Sequence, residues 1–216
     1  MKLFLDTASV EDIARRNTGL ITGITTNPTL IRKTGRNPDD VYQEIFDLGI
    51  NDLSIEVPGE YFDEFICNGL EVNKKYGNKA TIKLPCTEDG LSACQYLTSQ
   101  HIRVNMTLVF SVNQAILCSI AGATYVSPFV GRLNDNGQDG VQLIADIAKV
   151  FCHKNSDTQI LAASLRDSKS VADCFAAGTH ICTIPAKVFD AMHKHVLTDK
   201  GLFQFKQDFD ANLGSV

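Results

Sequence analysis

Short runs of β-branched and aliphatic residues recur along the chain, each followed by a polar or glycine-containing turn and then by apolar positions at helical spacing. The strand-like runs fall at residues 2–5, 20–24, 53–57, 80–84, 103–106, 124–126, 159–163 and 180–183. Several lead into helix-start chemistry: Ser9 with Asp12, Thr87 ahead of Glu88 and Asp89, and Ser111 with Gln114 each place an N-cap oxygen before an apolar-periodic segment. This alternation predicts parallel βαβ units. About eight of them in one chain predict an α/β fold, a single-domain (β/α)8 TIM barrel over residues 1–216; a doubly wound open sheet uses the same local grammar and is the alternative.

The tail, residues 197–216, carries Leu202, Phe203, Phe205 and Phe209 at mostly helical spacing. That is more apolar surface than a free terminal helix leaves in water. An additional C-terminal helix is expected there, packed on a neighbouring subunit or, equally, on its own barrel. No linker, low-complexity tract or repeat beyond the βα alternation divides the chain.

Composition narrows the function classes. With 44% hydrophobic and 21% charged residues and no long uncharged apolar run, the chain reads as an ordinary globular protein that does not enter a membrane. A net charge of -5 with dispersed basic residues argues against a non-specific grip on nucleic acid. Met1 to Asp6 meets an acid too early for a signal peptide, so a cytoplasmic location is expected. The seven cysteines, odd in number, mostly in apolar stretches and without a C-x-x-C pair, predict reduced core thiols, not disulfides or zinc ligands.

A parallel barrel builds its active site at the carboxyl ends of its strands. The residues there are chemically rich: Asp6 after the first strand, Thr25, Thr26 and Asn27 after the second, Glu56 in the third, Lys83 in the fourth, and Asn105 and Thr107 at the end of the fifth. Ser127, Phe129 and Arg132 follow the sixth, and Ser164 and Arg166 the seventh. Lys83 stands in an otherwise apolar strand, where loss of water disfavours an ammonium ion and a neutral amine can add to a ketone to give a Schiff base. A lysine whose stem packs while its head reaches solvent is the plainer alternative. Glu56 facing the same pocket would shuttle protons, directly or through a water held by Thr107, and Asp6 would supply the second carboxylate that aldol chemistry needs. A salt bridge or a cap on the following turn is the structural alternative for either acid. Arg132, Ser164 and Arg166 match a phosphate dianion, unless the arginines pair with acids such as Asp135 and Asp167.

Two other patterns carry less. Residues 134–139 have a calcium-loop flavour without the required spacing or closing glutamate, and read as a polar turn. His193 and His195 lack a third ligand nearby in sequence, so no metal is expected. No glycine-rich nucleotide loop is present.

Residues 5–8 (LDTA), 23–29 (GITTNPT), 82–85 (IKLP), 104–107 (VNMT), 127–132 (SPFVGR) and 163–166 (ASLR) together resemble transaldolase over essentially the whole chain, and the length and the ending 197–202 (LTDKGL) resemble the small transaldolases grouped with fructose-6-phosphate aldolase. The resemblance implies a Schiff base at Lys83, with Asp6, Glu56 and Thr107 handling protons and the catalytic water. It implies that Asn27, Asn105 and Ser127 hold substrate hydroxyls and that Arg132, Ser164 and Arg166 bind phosphate. It further implies no cofactor, sugar-phosphate substrates of the pentose phosphate pathway, and a homo-oligomer, pentamer or decamer, in which the terminal helix reaches a neighbour. Fructose-6-phosphate aldolases carry Gln and Tyr where this sequence has Glu56 and Phe129, and both differences point to transaldolase. The aldolase is the nearest alternative, and a catalytically silent sugar-phosphate-binding barrel is a second. Cys86, Leu165 and Val196 depart from the residues usual in the family and bear on rate and pocket shape.

Overall fold

The computed structural model describes residues 1–213, with side chains through Ala211. Its elements run β1 (Lys2–Asp6), α1 (Val10–Arg16), β2 (Ile21–Thr25), α2 (Pro28–Thr34), α3 (Pro38–Asp47), β3 (Leu53–Glu56), α4 (Phe62–Tyr76), β4 (Ala80–Pro85), α5 (Glu88–Ser99) and β5 (Val104–Val109). They continue with α6 (Val112–Ile120), β6 (Tyr125–Pro128), α7 (Val130–Asp135), α8 (Gly140–Lys154), β7 (Gln159–Ala162), α9 (Ser168–Ala176), β8 (Ile181–Ile184), α10 (Ala186–Met192) and α11 (Val196–Leu213).

All eight strands are parallel and close into a barrel, with β8 returning to β1 in the register Lys2 to Ile181 and Leu5 to Ile184. That pairing removes both sheet edges and with them the open-sheet alternative. The expected caps are in place: Ser9, Thr87 and Ser111 accept from the amides of Asp12, Gly90 and Gln114. Two connections hold a pair of helices. Gly35, left-handed at φ 65°, ends α2, and Asn37 caps α3 two residues later. In the polar turn at residues 134–139, Asn134 accepts from the Gly140 amide and Asp139 caps α8.

Strand alternation sorts the side chains into two apolar layers. Leu5, Ile24, Ile55, Ile82, Leu84, Val104, Met106 and Ile184 face the helices in the main core. Phe4, Tyr125, Leu161 and Ile181 form a separate cluster. Phe4 has room because β2 carries Gly23, where a methyl group would stand 2.6 Å from the ring. Next to this cluster Asp52 accepts from Tyr125 (2.6 Å), Thr81 (2.8 Å) and Arg103 (2.9 Å) at the amino ends of the strands. The amino end is thereby filled, and the polar inward positions are left to the carboxyl end.

The tail expected at 197–216 is α11, and residues 214–216 lie outside the described part. Leu202, Phe203, Phe205 and Phe209 are 62–70% exposed, so α11 does not pack on its own barrel. His195 Nδ1 accepts from the Leu197 amide at its start, a structural task for one member of the histidine pair. Cys94, Cys118, Cys174 and Cys182 are buried free thiols and Cys86 is half-buried; Cys67 and Cys152 are exposed. Those two lie off the buried faces of α4 and α8, formed by Phe65, Gly69 and Tyr76 and by Ile144, Ile147 and Phe151, so apolar neighbours in sequence did not bury them. No described helix is long and apolar enough to cross a membrane.

Candidate active site

Lys83 is only 6% exposed, at the carboxyl end of β4. Its Nζ donates to Glu56 Oε2 (2.9 Å) and to the Thr26 carbonyl (3.2 Å). Glu56 and Lys83 are register partners on β3 and β4, so strand pairing itself brings carboxylate and amine together. The ammonium is therefore ion-paired as well as desolvated, and its proton has an acceptor within hydrogen-bond distance.

Asp6 stands at the end of β1. Thr25 donates to its Oδ1 (2.8 Å), and Thr183 on β8 shares a 2.7 Å hydrogen bond with Thr25. Burial pushes the Asp6 carboxyl above its ordinary value, while the Thr25 hydrogen bond and the charge on Lys83 pull it down. Among the described residues Asp6 caps no helix: Ser9 caps α1, and Thr7 accepts from the Ser9 amide.

A second polar chain crosses from β3 to β6. Ser127 donates to Asn105 Oδ1 (2.7 Å), and Asn105 Nδ2 donates to Ser54 Oγ (3.1 Å). Asn105 is fully buried and does not line the cavity, whereas its hydrogen-bond partner Ser127 does. Thr107 Oγ1 is buried without a hydrogen-bond partner among the described residues, although it lines the cavity. An orphaned hydroxyl there is an available handle for a substrate oxygen or a water. β5 bulges between Met106 and Val109, and Leu108 takes φ 58°, a strained value for a branched residue. The expected strand stopped at residue 106 because this irregular turn breaks the alternation. Asn27 Oδ1 accepts from the Leu30 amide as the cap of α2, and its amide nitrogen is left for other work.

Of the residues expected at the site, all but Thr26, Glu56, Asn105 and Arg166 line one cavity of about 120 Å³. Glu56 lines the wider mouth of about 470 Å³ with Lys83, Thr107, Phe129 and Arg132. At the far end the Arg132 guanidinium lies 4.8 Å from the centre of the Phe129 ring, and Phe129 makes an edge contact with Phe110 at 5.8 Å. Ser164 adopts φ 62°. Arg166 is forked onto Asp135 and lies outside that cavity, in a neighbouring one that shares Ser164.

Thr183, Ala163 and Lys33 were not among the expected site residues. Thr183 and Ala163 line the cavity, and their signal was their place at the carboxyl ends of β8 and β7. Lys33, on α2, lines the wider mouth and has no ion pair among the described residues. Its signal was its place in the first helix after the Thr25, Thr26 and Asn27 corner. Among the described residues, no group of three or more His, Cys, Asp or Glu is placed to hold a metal ion.

One amine, two carboxyls, a set of hydroxyls and unpaired cations thus surround a space fit for a small polyol bearing an anion. A model of the family described as transaldolase/fructose-6-phosphate aldolase matches residues 3–215. The chain is 46% identical over 217 residues to a probable transaldolase of Symbiobacterium thermophilum, covering 100% of both. It is 46% identical over 212 residues to probable transaldolase 1 of Listeria monocytogenes, covering 98% of this chain and 99% of the relative. Among solved structures, thiamine phosphate pyrophosphorylase from Pyrococcus furiosus superimposes with a TM-score of 0.59 at 15% identity, over 88% of this chain and 93% of that one, a likeness of fold alone.

Proposed function

The chain belongs to the transaldolase/fructose-6-phosphate aldolase family, and on that premise we propose that it is a transaldolase moving a dihydroxyacetone unit between sugar phosphates through a Schiff base on Lys83. The observation that carries this reading is the contact of buried Lys83 with Glu56, in a mouth whose inner cavity also holds Asp6.

The steps follow from where protons can go. Glu56 takes a proton from Lys83 Nζ, and the freed amine adds to C2 of a ketose phosphate such as fructose 6-phosphate or sedoheptulose 7-phosphate. Proton return to the carbinolamine oxygen expels water and leaves an iminium ion, with the Thr107 hydroxyl placed to hold that water. Asp6 removes the C4 hydroxyl proton as C3–C4 breaks; the electron pair flows to the iminium nitrogen, and the aldose phosphate departs. Burial favours the protonated Asp6 that this step produces. The enamine then adds through C3 to erythrose 4-phosphate or glyceraldehyde 3-phosphate, Asp6 returns its proton to the new alkoxide, and hydrolysis frees Lys83. Thr25, Asn27, Asn105 and Ser127 position the hydroxyls, and Arg132 and Ser164 receive the phosphate, with Arg166 joining when it leaves Asp135. On this reading the enzyme works in the pentose phosphate pathway and in the cytoplasm. No metal or organic cofactor enters any step.

Phe129 offers no hydroxyl to help the enamine collapse alone, which favours transfer over simple cleavage. Glyceraldehyde 3-phosphate release from fructose 6-phosphate should depend on added erythrose 4-phosphate. Equal release without it would make the enzyme a fructose-6-phosphate aldolase. The exposed apolar face of α11 suits burial against a second copy in a pentamer or decamer. Phe205→Asp with Phe209→Asp should then shift sedimentation toward the monomer, and an unchanged profile would reject that packing.

A further inference from the structure

Outside the site, the sulfur atoms of Cys86 and Cys118 stand 3.5 Å apart with no group between them. Cys86 follows Pro85 at the end of β4, three positions past Lys83, and Cys118 lies in α6. Cys86 is half-buried, whereas Cys118 has no exposed surface, so a small oxidant meets Cys86 first. The third nearby thiol, Cys94, points its Sγ at the Ala121 carbonyl (3.6 Å) and does not compete. We propose that Cys86 and Cys118 form a reversible oxidative modification site, closing to a disulfide when a small peroxide reaches Cys86, and that closure slows turnover at Lys83.

The chemistry balances with hydrogen peroxide as the two-electron oxidant. The Cys86 thiolate attacks one peroxide oxygen, the O–O bond breaks, and Cys86 becomes a sulfenic acid as the other oxygen leaves as water after protonation. Cys118 then attacks the Cys86 sulfur, forming S–S, breaking S–O and releasing a second water. Two thiols and one peroxide give one disulfide and two waters, and a dithiol reverses the reaction by returning two electrons and two protons. The Cys118 thiol donates its hydrogen bond to Cys86 Sγ, which pushes the Cys86 thiol down and the Cys118 thiol up, so Cys86 is the one that attacks peroxide, and the Cys118 proton leaves with the sulfenic oxygen as S–S forms.

Closure would reach the site because the segment between has little slack. An S–S bond of about 2.0 Å requires the two sulfurs to approach by about 1.5 Å. The Cys86 amide donates to the Thr107 carbonyl (3.0 Å), and Pro85 is the register partner of Thr107. On the other side, Thr87 caps α5, whose Gly90 sits so near Pro85 that a methyl group there would be 2.0 Å from the Pro85 carbonyl oxygen. Movement at Cys86 therefore passes to the ends of β4 and β5, which carry Lys83 and Thr107.

The test treats the reduced, full-length protein with stoichiometric hydrogen peroxide. Intact mass and peptide mapping read the pairing, turnover is followed, and dithiothreitol is then added. The expected result is loss of two hydrogens mapped to Cys86 and Cys118, a fall in turnover of about five-fold or more, and recovery with the dithiol. Cys118→Ala should turn over like the parent when reduced, Cys86→Ser should keep its own reduced rate after peroxide, and neither should show the bridge or the reversible loss. Thiols that stay free, a bridge made by other cysteines, or the expected bridge with unchanged turnover would each overturn the proposal. The mass readout decides the pairing whichever sugar phosphate the enzyme uses.

Discussion

Gly131→Ala should impair the proposed phosphate end of the site and spare the amine. A Cβ at residue 131 would stand 2.0 Å from the Ser164 backbone oxygen, 3.0 Å from its hydroxyl and 3.2 Å from Arg166 Nε. Backbone cannot swing aside as a flexible side chain does, so α7 and the loop after β7 must separate by about 1 Å, a displacement that can cost on the order of 100-fold in rate at a preorganised site. The Val130 amide, which donates to the Ala163 carbonyl at 3.1 Å, is strained by the same movement. Arg132 and Ser164 move with these segments, while Glu56 and Lys83 belong to β3 and β4 elsewhere in the barrel. Steady-state kinetics with fructose 6-phosphate should show kcat/KM reduced about 100-fold, close to 2.7 kcal/mol of lost transition-state binding. Borohydride trapping with unphosphorylated dihydroxyacetone should proceed at the parent rate. A kcat/KM within about three-fold of the parent would refute phosphate binding between these two loops. Equal loss in both assays would mean that the substitution acts on the whole barrel.

Asp6→Asn should abolish most turnover, by 100-fold or more if Asp6 moves the C4 hydroxyl proton, yet raise the melting temperature at pH 7. An acid whose folded value lies above its unfolded value binds its proton more tightly when folded, so it costs stability as pH rises through that window. The gain in melting temperature should shrink as the pH falls toward the ordinary value of 3.8, and a gain independent of pH would contradict the assignment. Phe129→Tyr should raise acceptor-independent release of glyceraldehyde 3-phosphate from fructose 6-phosphate; an unchanged rate would count against a role for the missing hydroxyl. Lys33→Ala should raise KM for phosphorylated aldehyde acceptors and leave unphosphorylated glyceraldehyde unaffected, because Lys33 and Arg132 line the same mouth and neither has an ion pair among the described residues; equal effects on both acceptors would reject this.

The strands were legible because each is a short apolar run closed by a polar corner, and every expected run overlaps an observed strand. The helix caps were legible because capping is local, set by residues two or three positions apart. Pairings between loops were not. The fork of Arg166 on Asp135 joins α7 to the loop after β7, and sequence offered it only as one of two uses for that arginine. The contact of Cys86 with Cys118 likewise depends on how α6 lies against β4, which local patterning does not encode. Position along β4 pointed to Lys83, but the exchange of a free buried amine for a Lys83–Glu56 ion pair emerges only from the register of β3 with β4. Exposure of the α11 face shows why apolar residues alone could not tell a neighbour from the parent barrel: hydrophobic patterning says that a surface seeks cover and not what supplies it.

Borohydride reduction of the enzyme with fructose 6-phosphate, followed by peptide mapping, tests the Schiff base most directly. A stable three-carbon adduct on Lys83, absent from Lys83→Met, is the predicted result. Labelling of any other lysine, or labelling that survives Lys83→Met, would contradict it.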